Sequence, residues 1–150
     1  MLKDFYHTGF VVRDIETSVA FYTEVMGLKL LFRTERTGEF IEKVVGYKGA
    51  HIRGAFLSMG NGHNLELIQY IVPPSAEGHV NEAFERNSLG ATHLAFFVEN
   101  IDEYYAAMSR KGLSFIGPPA SLVQGGKVVR KAAYAQDPDN NWLEFVEVPQ

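Results

Sequence analysis

Apolar residues alternate with polar or small ones in short runs along this chain, and each of the first runs in its two halves leads into a stretch of helical spacing. Alternation predicts strands over residues 5–12 and 91–98. After the first, Asp14 is placed to cap a helix whose apolar stripe is Ile15, Val19, Tyr22, Val25 and Met26, with Gly27 ending it. After the second, Asn100 and Glu103 form a capping-box pattern. Ile101, Tyr105 and Met108 make the stripe there, Arg110 and Lys111 fall in the last turn, and Gly112 stops the helix. Three strands follow each helix: roughly 28–34, 52–59 and 64–71 in the first half, and roughly 113–116, 128–136 and 141–148 in the second. Gly60-Asn61-Gly62 and Asp137-Pro138-Asp139-Asn140 supply the turns before the last strands.

The predicted class is α+β, as two tandem βαβββ modules over about 5–72 and 91–148 within a single domain, 1–150. Pro73-Pro74-Ser75 closes the first module, and a linker over about 73–90 is expected to hold a short helix near 79–87. Two stretches lack a clear period. Residues 36–50, with Gly38, Gly46 and Gly49, read as irregular with one helical turn, and residues 117–127 carry no strand pattern.

The two halves also repeat in sequence. His7-Thr8-Gly9-Phe10-Val11-Val12-Arg13-Asp14-Ile15 matches His93-Leu94-Ala95-Phe96-Phe97-Val98-Glu99-Asn100-Ile101 as His, any residue, small, Phe, apolar, Val, charged, Asp or Asn, Ile. Near the module ends, Asn64-Leu65-Glu66-Leu67-Ile68 matches Trp142-Leu143-Glu144-Phe145-Val146. One His–Glu pair is written twice.

Composition narrows the function classes. With 46% hydrophobic and 13% aromatic residues the 150-residue chain can bury a core. A net charge of -4 with scattered basic residues gives no footprint for nucleic acid or a membrane surface. No apolar run approaches membrane-spanning length, and no signal-peptide pattern opens the chain. The absence of cysteine excludes disulfides, thiolate metal sites and a cysteine nucleophile. A cytoplasmic protein acting on a small molecule is the expectation.

His7, Glu66, His93 and Glu144 then stand out as candidate ligands of one divalent metal ion. Imidazole and carboxylate suit Zn, Ni, Co, Mn or Fe. A carboxylate set inside Leu65-Glu66-Leu67-Ile68 or Leu143-Glu144-Phe145 is costly to bury without a cationic partner. Two positions after each His stands a small residue, Gly9 or Ala95, which leaves room for a substrate. Arg53, Arg130 and Lys131 are candidate contacts for a substrate anion, and Tyr70 and Trp142, on the ligand-bearing strands, are candidate pocket walls. His51, His63 and His79 are expected at the surface.

These marks, with Phe21-Tyr22-Thr23-Glu24-Val25-Met26-Gly27-Leu28 and Asp137-Pro138-Asp139-Asn140-Asn141-Trp142-Leu143-Glu144, resemble the vicinal oxygen chelate superfamily over nearly the whole chain. That group holds glyoxalase I, methylmalonyl-CoA epimerase, extradiol dioxygenases and the fosfomycin- and bleomycin-resistance proteins. The resemblance implies paired modules forming a curved mixed sheet around a metal, often in a homodimer, with ligands where His7, Glu66, His93 and Glu144 fall. It further implies a metal-dependent lyase or isomerase of glyoxalase I or epimerase type, in which Glu144 moves the proton next to a carbonyl and Glu66 is its symmetry counterpart. An Fe(II) extradiol-type dioxygenase, and a resistance protein acting as thiol transferase or drug binder, are the alternatives. The chain departs from the pattern in three places. Asn140 replaces the usual Gly of the turn, Val11 stands where glyoxalase I carries a glutathione-binding Arg, and Lys48 to Ile52 lacks the catalytic Glu of the epimerases.

Overall fold

In the computed structural model, which describes residues 3–60, 62–75 and 85–149, the predicted strands assemble into two mixed sheets, one in each half of the chain. The chain divides into two units, residues 1–78 and 79–150.

The first unit holds β1 (His7–Val11), α1 (Ile15–Ala20), β2 (Lys29–Arg36), α2 (Glu39–Val45), β3 (His51–Gly60) and β4 (His63–Val72). The strand order is β1-β4-β3-β2, with β1 parallel to β4 and the other pairs antiparallel. Asp14 caps α1 by accepting the Thr17 amide at 2.8 Å. The helix does not run uniformly to Gly27. From Phe21 to Val25 it widens into a π-helical turn, and Gly27 at φ 76° leads out of it. Ile15, Val19 and Tyr22 are buried, as are Leu57, Leu65 and Leu67 on the α1 side of the sheet. On the opposite side, α2 covers one end: Ile41 packs with Ala50 and Ile52, against Val45, Ile68 and Tyr70. Residues 36–50 thus hold a two-turn helix rather than a single turn, stopped by Gly46 in the left-handed conformation that glycine adopts without a steric penalty.

The second unit holds β5 (His93–Phe97), α3 (Ile101–Arg110), β6 (Ser114–Phe115), β7 (Ala120–Gln124), β8 (Lys127–Gln136) and β9 (Trp142–Glu147). The order is β5-β9-β8-β6, with β5 parallel to β9 and β7 also paired to β8. The strand β7 was not expected. It continues the edge begun by β6 after Gly117-Pro118-Pro119, where two prolines lack the N–H that a ladder needs. Asn100 caps α3 through the Glu103 amide, and Tyr104 and Phe115 pack on Phe145 with ring centroids 4.9 and 5.7 Å away. The expected helix near 79–87 lies largely outside the described residues, and Arg86 and Asn87 are in a turn. Among the described residues no helix is long and apolar enough to cross a membrane.

The modules share a further mark. The Ile15 amide donates to Gln69 Oε1 at 3.2 Å, and the Ile101 amide donates to Glu147 Oε2 at 2.8 Å. In each unit a side chain three positions beyond the candidate glutamate ties the last strand to the start of the helix.

Candidate metal and substrate site

Strand register brings each His to its Glu. Along the parallel pair β1–β4, His7 lies opposite Asn64 and Gly9 opposite Glu66. Along β5–β9, His93 lies opposite Trp142 and Ala95 opposite Glu144. Both registers place the small residue directly across from the carboxylate, so the His side chain leans into open space beside it. His7 Nε2 is 2.9 Å from Glu66 Oε2, and His93 Nε2 is 3.2 Å from Glu144 Oε2. Neither pair lies on the face that its unit packs against α1 or α3.

The neighbouring antiparallel strand adds an aromatic ring at the same place in each unit. Phe56 lies opposite Glu66, and Tyr134 opposite Glu144. Each ring meets its imidazole edge-on, at centroid distances of 5.5 Å for His7–Phe56 and 5.4 Å for His93–Tyr134. The two surroundings then diverge. Phe56 stacks on Phe32 at 4.6 Å and approaches Tyr6 at 6.3 Å, giving His7 an apolar wall. Tyr134 sets a phenol across from Glu144. Burial, then the Glu144 charge, raises its phenol above the ordinary value, with Arg86 opposing.

Burial also raises the Glu66 carboxyl above its ordinary value, against the charges of His7 and Arg36. Gly54 makes room for the Thr34 hydroxyl on the neighbouring strand. A Cβ there would stand 2.5 Å from Thr34 Oγ1 and 3.7 Å from Glu66 Oε1. His7 Nδ1 is buried and has no hydrogen-bond partner among the described residues.

The donor chemistry fits a divalent ion. Each unit presents one imidazole nitrogen and one carboxylate oxygen side by side, and the carboxylates are mostly buried. Among the described residues no third His, Asp or Glu joins either pair, so each unit supplies two donors.

The other sequence candidates separate by face. Arg130 lines a hollow of about 180 Å³ with Ala95, Phe97, Glu144 and Val146. Trp142 is buried beside His93. Tyr70 shares the Glu66 face but lies at the α2 end, edge-on to Tyr47 at 6.1 Å. Arg53 belongs elsewhere. It sits opposite Gln69, one position out of phase with Glu66, and its Nε pairs with Glu35 at 3.3 Å. Lys131 likewise reaches Asp102 on α3. Both lie on the opposite face of their strands from the positions that face Glu66 and Glu144. His51 is half-buried against Glu35 at 2.7 Å rather than free at the surface, His63 is exposed, and His79 lies outside the described residues. Arg86, Thr92 and Tyr134, which the sequence did not single out, line the hollow beside His93 and Trp142.

Comparison with known proteins bears on the family and the fold. Residues 5–145 match the family model described as the Glyoxalase/Bleomycin resistance protein/Dioxygenase superfamily. A Bacillus subtilis protein of uncharacterised function, YwbC, is 31% identical over 98% of this chain and 99% of its own length. A lactoylglutathione lyase of Schizosaccharomyces pombe is 34% identical over 93% of this chain, which spans 46% of that enzyme. The structure of a glyoxalase family protein from Bacillus cereus superposes with a TM-score of 0.85, covering 100% of this chain and 97% of that one at 22% identity, and so shares the fold.

Proposed function

The chain belongs to the Glyoxalase/Bleomycin resistance protein/Dioxygenase superfamily, and on that premise we propose that it is a divalent-metal-dependent lyase or isomerase acting by proton transfer next to a carbonyl. The observation that carries this is the repeated pair: His7–Glu66 and His93–Glu144, in matching register, each on the sheet face opposite α1 or α3. These four residues hold one ion of Zn, Ni, Co, Mn or Fe, and the active unit is a homodimer. When bound, the ion supplies Lewis-acid polarisation of the substrate oxygen.

The chain's own groups do the rest. Glu144 removes the proton from the carbon beside the carbonyl, and Tyr134, across the strand from it, positions that carboxylate. Glu66, its symmetry counterpart, returns a proton to the neighbouring carbon or the opposite face, and each glutamate acts in this way only while it is off the ion. Gly9 and Ala95 leave space for the reacting carbons, and Phe56 and Trp142 keep water away.

Elemental analysis of protein purified without chelator or affinity tag is the first test. About one transition-metal equivalent per set of four donors is expected, and far less than half of that would overturn the proposal. Glu144→Gln should then lower turnover by roughly 10²–10⁴-fold while most of the metal is retained, measured on a panel of hemithioacetals and 2-substituted acyl thioesters. Undiminished turnover would remove Glu144 from the role of base.

A further inference from the structure

The repeat keeps His and Glu but not what stands beside them. In the second unit a hollow of about 110 Å³ opens next to His93, lined by Arg86, Ala91, Thr92, Tyr134 and Trp142. The Arg86 guanidinium carbon lies 4.8 Å over the Trp142 ring, and among the described residues no carboxylate pairs with it. A guanidinium seated over an indole keeps N–H donors that can reach a ligand. Thr92 adds a hydroxyl, and the hollow is large enough for a carboxylate or phosphate group. At the register positions of Trp142 and Tyr134, the first unit carries Asn64 and Phe56, and Phe56 is stacked on Phe32. The hollow is therefore not a by-product of the His–Glu geometry.

We propose that Arg86, braced on Trp142 and assisted by Thr92, is a binding site for an oxyanion group, carboxylate or phosphate, at the non-reacting end of the substrate. This rests on the assignment of the His93–Glu144 face as the substrate face. It also defines the substrate more narrowly. Trp142 and Glu144 are neighbours on one side of β9, about 7 Å apart along the strand. The anionic group therefore lies on the same strand face as Glu144, within reach of one small molecule.

Trp142 is the sole tryptophan of the chain, so its emission reports on this hollow alone. The full-length protein, stripped of metal with chelator, is titrated with inorganic phosphate and separately with butyrate, at ionic strength matched by potassium chloride. A saturable change in emission with phosphate, with butyrate or with both supports the site, and the probe that binds identifies the anion. Arg86→Met should weaken that binding about tenfold or more, with Arg86→Lys between it and the wild type. Arg86 is exposed in a turn, so both variants should fold, which thermal scans verify. A flat titration with both probes, an equal response to potassium chloride, or undiminished binding by Arg86→Met would overturn the proposal. Because metal is absent throughout, a protein that fails to take up metal but binds the anion would sink the proposed enzyme and leave this site standing.

Discussion

Phe56 and Tyr134 occupy one register position in two modules and differ by a hydroxyl, and that hydroxyl makes the two glutamates unequal. Beside its imidazole Glu144 has a phenol across the strand, whereas Glu66 has its imidazole and an apolar wall. Tyr134→Phe should lower turnover by up to about tenfold, the worth of one hydrogen bond to a charged group, with less than about 1 kcal/mol lost in stability because the ring stays. Phe56→Tyr should not restore it in the double variant. Steady-state kinetics beside thermal unfolding checks both, and unchanged turnover in Tyr134→Phe would deny the phenol a positioning role. Gly54 is a second exacting position. Its missing Cβ is the space that the Thr34 hydroxyl uses. Gly54→Ala should cost about 1–3 kcal/mol from overpacking. Adding Thr34→Ala should recover much of that loss, since contacting sites do not add. Urea titration of the single and double variants decides it.

Among the elements, the helix entries are the best determined. The Thr17 amide and its side chain hold the Asp14 carboxyl below its ordinary value of 3.8. A depressed carboxylate stabilises the fold above its unfolded pKa, and that stabilisation drains away as pH falls through the lowered folded value. Asp14→Ala should cost about 1 kcal/mol at neutral pH, and the two proteins should converge in denaturant midpoint well below 3.8. A difference that persists in strong acid would show that the cap is not acting as a carboxylate. Such caps were legible because Asp14 and Asn100 each stand immediately before an apolar period. The His–Glu pairs were legible for a related reason, since repetition exposes what single positions hide. Other elements left no such trace. The strand β7 is exposed throughout, so no alternation marks it, and only its pairing to β8 makes it a strand. The apolar run of α2, Phe40, Ile41, Val44 and Val45, buries chiefly Ile41 and resembles strand as much as helix. The face of Arg53 was not legible because parity within one strand does not state its phase against the next strand. That phase came from the β3–β4 register. Tyr134 was within reach: 66 − 56 and 144 − 134 are both 10, so counting back from each glutamate finds both rings. Arg86 offered no sequence signal, because a turn residue over a ring belongs to no period.

At the scale of the whole molecule, the question is whether the two His–Glu pairs serve one ion or two. Two donors are too few for a structural or catalytic divalent site, whereas two imidazoles and two carboxylates suffice and leave positions for substrate. A ligand that binds only the folded state stabilises it by mass action, about 2.7 kcal/mol when present at a hundred times its Kd. For a chain of this size that is a rise in Tm of roughly 5–10 °C. The informative quantity is the metal-induced shift within each variant, since the substitutions themselves alter the baseline. A shared ion means that the double variant His7→Ala/Glu66→Gln loses nearly the whole shift, that His93→Ala/Glu144→Gln loses it equally, and that combining all four changes takes nothing further. Two independent ions would instead leave each double variant about half of the wild-type shift, with the losses adding. Thermal unfolding in chelator-treated buffer, with and without added Zn or Ni, separates these cases without reference to any substrate. Additive losses would mean that the repeat had preserved two small sites instead of building one, and the proton-transfer proposal, which needs both glutamates at one substrate, would fall with that result.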